Sequence, residues 1–144
     1  MQEISVKEIK RYDFIRTKKY VDDLLFDLKH YSMKLLCLLP PGANVKVDLI
    51  DKVQESRTNT SKIEKYIEKK DYLESMIKEE LNKISNSIKL MTENEKTMFE
   101  ELYIYQNTEF DISEKYGWSR SKVVHLKKSF IIKIALSKGM DYEK

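Results

Sequence analysis

The sequence predicts an all-α protein, and three observations lead to that prediction. The 144-residue chain holds only three glycines and two prolines, too little turn chemistry for a sheet of many strands. Its apolar residues recur mainly three and four positions apart, which is the spacing of one helix face. Segments with the Ser/Thr-x-x-Glu pattern of a helix capping box begin at Ser5, Ser61 and Thr92.

Residues 1–90 are predicted to form an N-terminal helical region built on long helices. Ser5 opens the first helix, and Ile4 and Ile9 stand where a hydrophobic staple would close over its first turn. Apolar residues at helical spacing follow until Pro40-Pro41-Gly42, where proline cannot continue the hydrogen-bond ladder.

The second long helix is predicted to begin at Ser61 and to keep one apolar face as far as Met91. Residues 43–60 before it are ambiguous, since "NVKVDLI" alternates like a short strand and "QESRTNT" is typical of a polar loop. Two interpretations of the long helix remain open: it packs on the first helix, or it forms a coiled-coil or dimer interface.

The C-terminal part is predicted to hold three helices. Thr92 caps the first helix and Thr108 caps a short second helix. Gly117 is placed to leave that short helix with a positive φ, and Ser119 can cap the last helix, which should run from about Arg120 to Lys138.

This arrangement predicts a helix-turn-helix unit, in which a glycine-containing turn joins two helices and the second helix enters the DNA major groove. Such a unit needs a small residue where the helices approach, here Ser113, and inward-facing apolar or aromatic residues: Ile112, Tyr116, Trp118, Val123 and Leu126. Trp118 is expected to fill the core rather than to stack on a base. Residues 91–144 are therefore predicted to be a DNA-binding domain, and residues 1–90 an oligomerisation or interaction region.

The charge pattern supports a polyanionic partner. Residues 91–114 carry seven acids and one base, whereas residues 119–140 carry six bases and no acid. A solvated helix ordinarily mixes charges through i,i+4 pairs, but a helix that faces phosphates should not. The alternative is that the last helix is basic without binding a polyanion, and that the acids of the C-terminal half simply lie elsewhere in that half. The predicted DNA-facing residues are Arg120, Ser121, Val124 and His125 for base edges, and Ser119, Lys122, Lys127 and Lys128 for phosphates.

Other functions find little support in the sequence. A net charge of +3 alone does not predict a nucleic-acid partner, and the single cysteine, Cys37, excludes an intramolecular disulfide. His30 and Cys37 lie seven positions apart, and two ligands do not make a zinc site. No phosphate loop or nucleophile motif is present, so we expect no enzyme activity, cofactor or metal. The chain lacks an apolar signal or spanning segment, which favours a cytoplasmic protein with no membrane partner.

The segment "MTENEKTMFEELYIYQNTEFDISEKYGWSRSKVVHLKKSFIIKIALSK", residues 91–138, resembles region 4 of sigma-70-type factors. Those domains place one helix before the helix-turn-helix pair and extend the recognition helix into an apolar tail, here Phe130, Ile131, Ile132, Ile134 and Leu136. The whole chain resembles ArpU/RinA/LtrC-type late transcription regulators of phages of Gram-positive bacteria. The middle segment "DKVQESRTNTSKIEKYIEKKDYLESMI" resembles the middle part of those regulators.

The resemblance implies an activator of late phage genes for packaging, morphogenesis and lysis, which binds double-stranded DNA upstream of the promoter. It implies that the DNA-facing residues are Ser119, Arg120, Ser121, Lys122, Val124, His125 and Lys128, a set that does not include Lys127. No segment resembles sigma region 2, which melts promoters, so we expect the host RNA polymerase and its own sigma factor to be needed. Residues 1–90 should form a homodimer. Two alternatives are a small terminase-type DNA-packaging subunit and an interaction protein that docks on polymerase.

Overall fold

The fold is described by a computed structural model that covers residues 2–38, 58–140 and 142–144. Across these ranges the regular elements are helices, and no strand is formed. The all-α prediction is therefore confirmed. The predicted strand in "NVKVDLI" and the predicted stop at Pro40-Pro41-Gly42 lie outside the described residues. In the same ranges no helix combines the length and the apolar character that crossing a bilayer requires.

The helices follow one another with short connections wherever both ends are described. In chain order they are α1 (Val6–Ile9), α2 (Phe14–Leu24), α3 (Phe26–Leu38), α4 (Thr58–Lys83), α5 (Ser85–Leu90), α6 (Glu93–Phe99), a π-helix (Glu100–Ile104), α7 (Glu109–Tyr116) and α8 (Arg120–Ser137).

Both predicted long helices are interrupted. The first is divided because the Asp13 side chain accepts a hydrogen bond from the Arg16 backbone and caps a new helix, and because Leu25 leaves the helical conformation at ψ 9°. The second is already helical at Thr58, where the described residues resume, so the predicted start at Ser61 is wrong, and the helix breaks at Ile84. Apolar spacing persists across each break because the successive helices contribute to the same core.

The C-terminal half of α8 forms the centre of the fold. Helices α1, α2, α5, α6 and α7 all pack against α8. Its buried stretch is continuous: Ser129, Phe130, Ile131, Ile132, Lys133, Ile134 and Ala135. The Phe130 ring meets the rings of Phe99 and Tyr103 edge-on, with centroids 5.8 and 5.9 Å away. Four of the five residues of the predicted apolar tail are thus core, and the exception is Leu136, which is 41% exposed.

The two predicted regions share this core. Its main buried cluster takes Val21, Leu25 and Leu28 from the N-terminal helices, and Met98, Phe99 and Phe130 from the residues after 91. Helix α4 packs on α3, as one of the two interpretations of the long helix expected. Folding of residues 91–144 is therefore coupled by packing to residues 1–90.

A buried ion pair joins four parts of the chain. The Lys133 ammonium lies 2.6 Å from Oε1 of Glu95, and both side chains are almost fully buried. The same ammonium donates to the carbonyls of Gln2 and Leu90, at 2.8 and 2.9 Å. Glu95 in turn accepts from the Thr92 backbone and completes the predicted capping box of α6.

The N-terminal segment is fixed along α8. The Ile4 backbone donates to the Ser129 hydroxyl at 2.9 Å, and Ile9 and Tyr12 pack with Ile132. Ile4 packs against that same small cluster, which contains Ile9, the residue predicted to form a staple with it. Contacts between residues 11–13 and 142–144, including a bridge from Tyr12 to Glu143, fasten its far end.

Candidate nucleic-acid interface

Local hydrogen bonds set the connection between α7 and α8. Thr108 and Asp111 form a reciprocal capping box at the start of α7, and Gly117 ends that helix in the left-handed region with φ 66°. The Ser119 hydroxyl accepts from the Lys122 backbone and caps α8. The predicted caps at Thr108, Gly117 and Ser119 are therefore confirmed.

Replacing Gly117 by alanine should destabilise the protein by about 1–2 kcal/mol, because an L-residue pays that much to adopt the left-handed region. Apart from Gly117 and its two chain neighbours, no atom of the described residues lies within 4 Å of the position that the added Cβ would take, so the cost comes from the backbone rather than from a clash. Urea unfolding followed by circular dichroism measures it. Gly117→Asn, whose side chain tolerates this conformation, should lose less, and equal stability of Gly117→Ala and the native protein would contradict the assignment.

Four of the five inward-facing positions pack as predicted. Ile112, Val123 and Leu126 are fully buried, and Trp118 packs against the edge of the main cluster. The prediction for Tyr116 is wrong, because that side chain is 38% exposed. Its ring stacks on Trp118 at 4.8 Å, and this edge position leaves the hydroxyl able to reach a polar partner.

That partner is Glu101, a buried carboxylate that sequence reasoning missed. Only 3% of the residue is exposed, and it accepts from the Lys115 ammonium at 2.7 Å, the Tyr116 hydroxyl at 2.8 Å and the Asn107 amide. Glu101 lies in the π-helix, a rare element whose changed register turns an acid inward. No sequence signal marks this register change.

Burial acts to raise the pKa of Glu101, but the hydrogen bonds from Lys115, Asn107 and Tyr116 outweigh it and leave the pKa lowered. A carboxyl whose pKa is lower in the folded state stabilises the protein above its unfolded pKa, and this contribution is lost as the pH falls. Glu101 therefore holds the end of α7 to the π-helix at neutral pH.

The eight predicted DNA-facing residues fall into two groups along α8. The first turn of the helix with its cap is exposed, and this group contains Ser119, Arg120, Ser121 and Lys122. The next two turns are half-buried, and this group contains Val124, His125, Lys127 and Lys128. The structure thus brings all eight to one helix and its cap, and of the eight only the first group is exposed.

The half-buried basic side chains already have partners within the protein. Lys127 donates to Glu109 at 2.8 Å, and His125 lies 3.6 Å from a Glu3 oxygen. The Lys128 ammonium stands 5.4 Å above the Phe14 ring. Lys133 is buried as well. Part of the positive charge of residues 119–140, which the sequence analysis assigned to phosphates, is therefore in contact with acids and aromatic rings of this chain.

A groove of about 420 Å³ lies on the surface where α1 meets the first half of α8. Five of the predicted residues line it: Arg120, Ser121, Val124, His125 and Lys128. The N-terminal segment supplies Val6, Ile9 and Lys10. Sequence reasoning missed these three because only the long-range packing of α1 on α8 brings them there.

Comparisons with protein-family models, curated proteins and solved structures find no match to this chain.

His30 and Cys37 lie on α3 and line a second groove, between α3 and α4. Within the part of the chain that the structure describes, no three residues of the His, Cys, Asp and Glu types are grouped so that they could hold a metal ion. The pair therefore gives no basis for assigning a metal site.

Proposed function

We propose that this protein is a sequence-specific activator of phage late genes, of the ArpU/RinA/LtrC type, which binds double-stranded DNA in the cytoplasm of the bacterial host. The observation that supports this most is the exposed first turn of α8 on a helix whose other half is anchored in the core. In a helix-turn-helix protein the N-terminal residues of the recognition helix contact base edges.

The charges of that first turn fit the proposal. Arg120 and Lys122 are exposed, and the first turn of α8 contains no acid. The N-terminus of this 18-residue helix adds the positive end of the helix dipole. Arg120 can bind a guanine through two hydrogen bonds, whereas Lys122 and Ser119 are placed for phosphates.

The anchored half of α8 supports the same function. Phe130 and its neighbours are fully buried, so the first turn is carried by a helix that the core holds in position. Fixed placement of the contacting side chains is what base discrimination requires. Lys127 and His125 must first leave Glu109 and Glu3, so we expect them to contribute less than Arg120.

Arg120→Ala should weaken binding to the preferred site by about 1–3 kcal/mol and relax preference at one base pair. Lys128→Ala, as a phosphate contact, should weaken all sequences alike and lower the salt slope by about 0.9. Fluorescence anisotropy on a site selected from random duplexes, and on its single-base variants, measures both. Equal and small effects from the two changes would contradict the assigned roles.

The proposal includes a homodimer and host RNA polymerase as a partner. Exposed apolar side chains on α3 and α4 favour a second copy at the N-terminal helices: Phe26, Met33, Leu36, Ile67 and Tyr72. A two-fold dimer would bind half-sites about 34–36 Å apart. Analytical ultracentrifugation and a footprint on phage DNA test this, and a monomer on a single unrepeated site would overturn the dimer.

Mobility shifts with late promoter fragments and transcription with purified host polymerase test the activator function itself. Specific shifts with promoter DNA and stimulated transcription are expected. Ring-shaped oligomers bound at a packaging site would favour a small terminase-type subunit, and polymerase binding without DNA binding would favour a docking protein.

A further inference from the structure

We propose that the groove between α1 and α8 binds a phosphate of the DNA backbone, and that Lys10 is a DNA contact contributed by the N-terminal segment. This inference rests on the proposed function and extends it to a part of the chain outside α7 and α8. It assigns the N-terminal segment, residues 2–12, to the DNA-binding surface rather than to oligomerisation.

The groove has the composition of an anion site. Lys10, Arg120 and Lys128 bring three cationic side chains to it from two separate elements, and its described lining includes no carboxylate. Its apolar part comes from Val6, Ile9 and Val124, from which a bound phosphate would displace water. Electrostatic attraction is stronger where water is partly displaced.

The position of Lys10 is fixed rather than incidental. Lys10 directly follows α1, and the preceding residue, Ile9, is buried against Ile132 of α8. The start of the segment is held by the bonds from Ile4 to Ser129 and from Lys133 to Gln2. The backbone that carries Lys10 is therefore held in place, and a phosphate in the groove would not have to order a free arm.

The groove also lies where a contact to the DNA backbone would help to position the protein on the duplex. Arg120 is the first residue of α8 and lines the groove, so a phosphate bound there lies next to the turn proposed to read bases. Phosphate contacts fix the register of a protein on the duplex while other side chains read sequence. Glu3 lies near His125 and Arg120 is assigned to a base, so we assign the phosphate contact to Lys10 and Lys128, while Arg120 adds positive charge at the edge of the groove.

The salt dependence of binding to a fluorescein-labelled duplex of mixed sequence tests the proposal. Each phosphate contact adds about 0.9 to the slope of log affinity against log salt, so the advantage of native protein over Lys10→Ala should shrink about 3.5-fold between about 50 and 200 mM salt. Lys10→Arg keeps the charge and should keep the native slope. Lys78→Ala removes one exposed lysine from α4 and is the matched control.

The outcomes separate the two proposals. A reduced slope for Lys10→Ala, with native slopes for Lys10→Arg and Lys78→Ala and unchanged thermal unfolding for all three, supports the groove. Duplex binding by the native protein with identical slopes for Lys10→Ala and Lys78→Ala overturns the groove and leaves the proposed function standing. No duplex binding by the native protein overturns both.

Discussion

Replacing Lys133 by methionine will lower the free energy of unfolding by about 3–5 kcal/mol. Methionine fills a similar volume but leaves the Glu95 carboxylate buried without its cation. Among the described residues Oε2 of Glu95 already lacks a hydrogen-bond partner, so only the Thr92 backbone would remain for Oε1. An uncompensated buried charge costs far more than a lost surface pair.

Urea unfolding followed by far-UV circular dichroism measures this loss. Lys96→Met is the matched control, because Lys96 pairs with the highly exposed Glu93 and such pairs contribute about 0–1 kcal/mol. Adding Glu95→Gln to Lys133→Met should recover at least half of the loss, since the buried charge is then gone. A single variant as stable as the control would show that Glu95 does not depend on Lys133.

Leu28→Ala will destabilise the protein by about 2–5 kcal/mol, and the loss will extend to the C-terminal helices. Leu28 is fully buried on α3 in the cluster that also holds Phe130 of α8. Removing its side chain leaves a cavity in a core shared by both regions. Because that core is continuous, we expect the whole chain to unfold in one transition.

Trp118 provides the measurement, since it is the single tryptophan of the chain and lies between α7 and α8. Its fluorescence midpoint in urea should shift together with the circular dichroism midpoint. Ile15→Ala, at a side chain 82% exposed on α2, should change stability by no more than about 0.5 kcal/mol. An unmoved Trp118 transition in Leu28→Ala would mean that residues 91–144 fold independently, as the sequence boundary alone suggests.

Local features of this fold could be predicted from the sequence, and features set by distant contacts could not. The caps at Thr92, Thr108 and Ser119 depend on bonds between residues three apart, and the end of α7 depends on the freedom of Gly117. Such bonds need no knowledge of the rest of the chain. The inward positions Ile112, Val123 and Leu126 follow from helical periodicity in the same way.

The candidate site was predictable only in part. The exposure of Arg120 and Lys122 agrees with the sequence, but the charge imbalance of this half of the chain has a second cause. Glu109 and Glu95 lie far in sequence from Lys127 and Lys133 and neutralise them in the fold. Sequence order separates these partners, so the sequence alone could not show that part of the positive charge is internal.

Placement of α1 beside α8 is the contact that sequence reasoning had least chance of finding. The residues just before α1 form hydrogen bonds with α8, Gln2 with Lys133 and Ile4 with Ser129, and the partners in each pair lie more than a hundred positions apart. No periodicity or motif encodes such a pairing. The π-helix with Glu101 is similar, because a register change depends on the packing around it.

Helix α8 separates two roles by position: its first turn is exposed, and its residues 129–135 are buried. Under the proposed function, Arg120 and Ser121 can be exchanged with little effect on stability, because they contribute nothing to the interior. Target preference can therefore diverge between descendants of this protein while Phe130 and Lys133 stay constrained. A library randomised at those two outward positions should yield many well-folded members with altered operators.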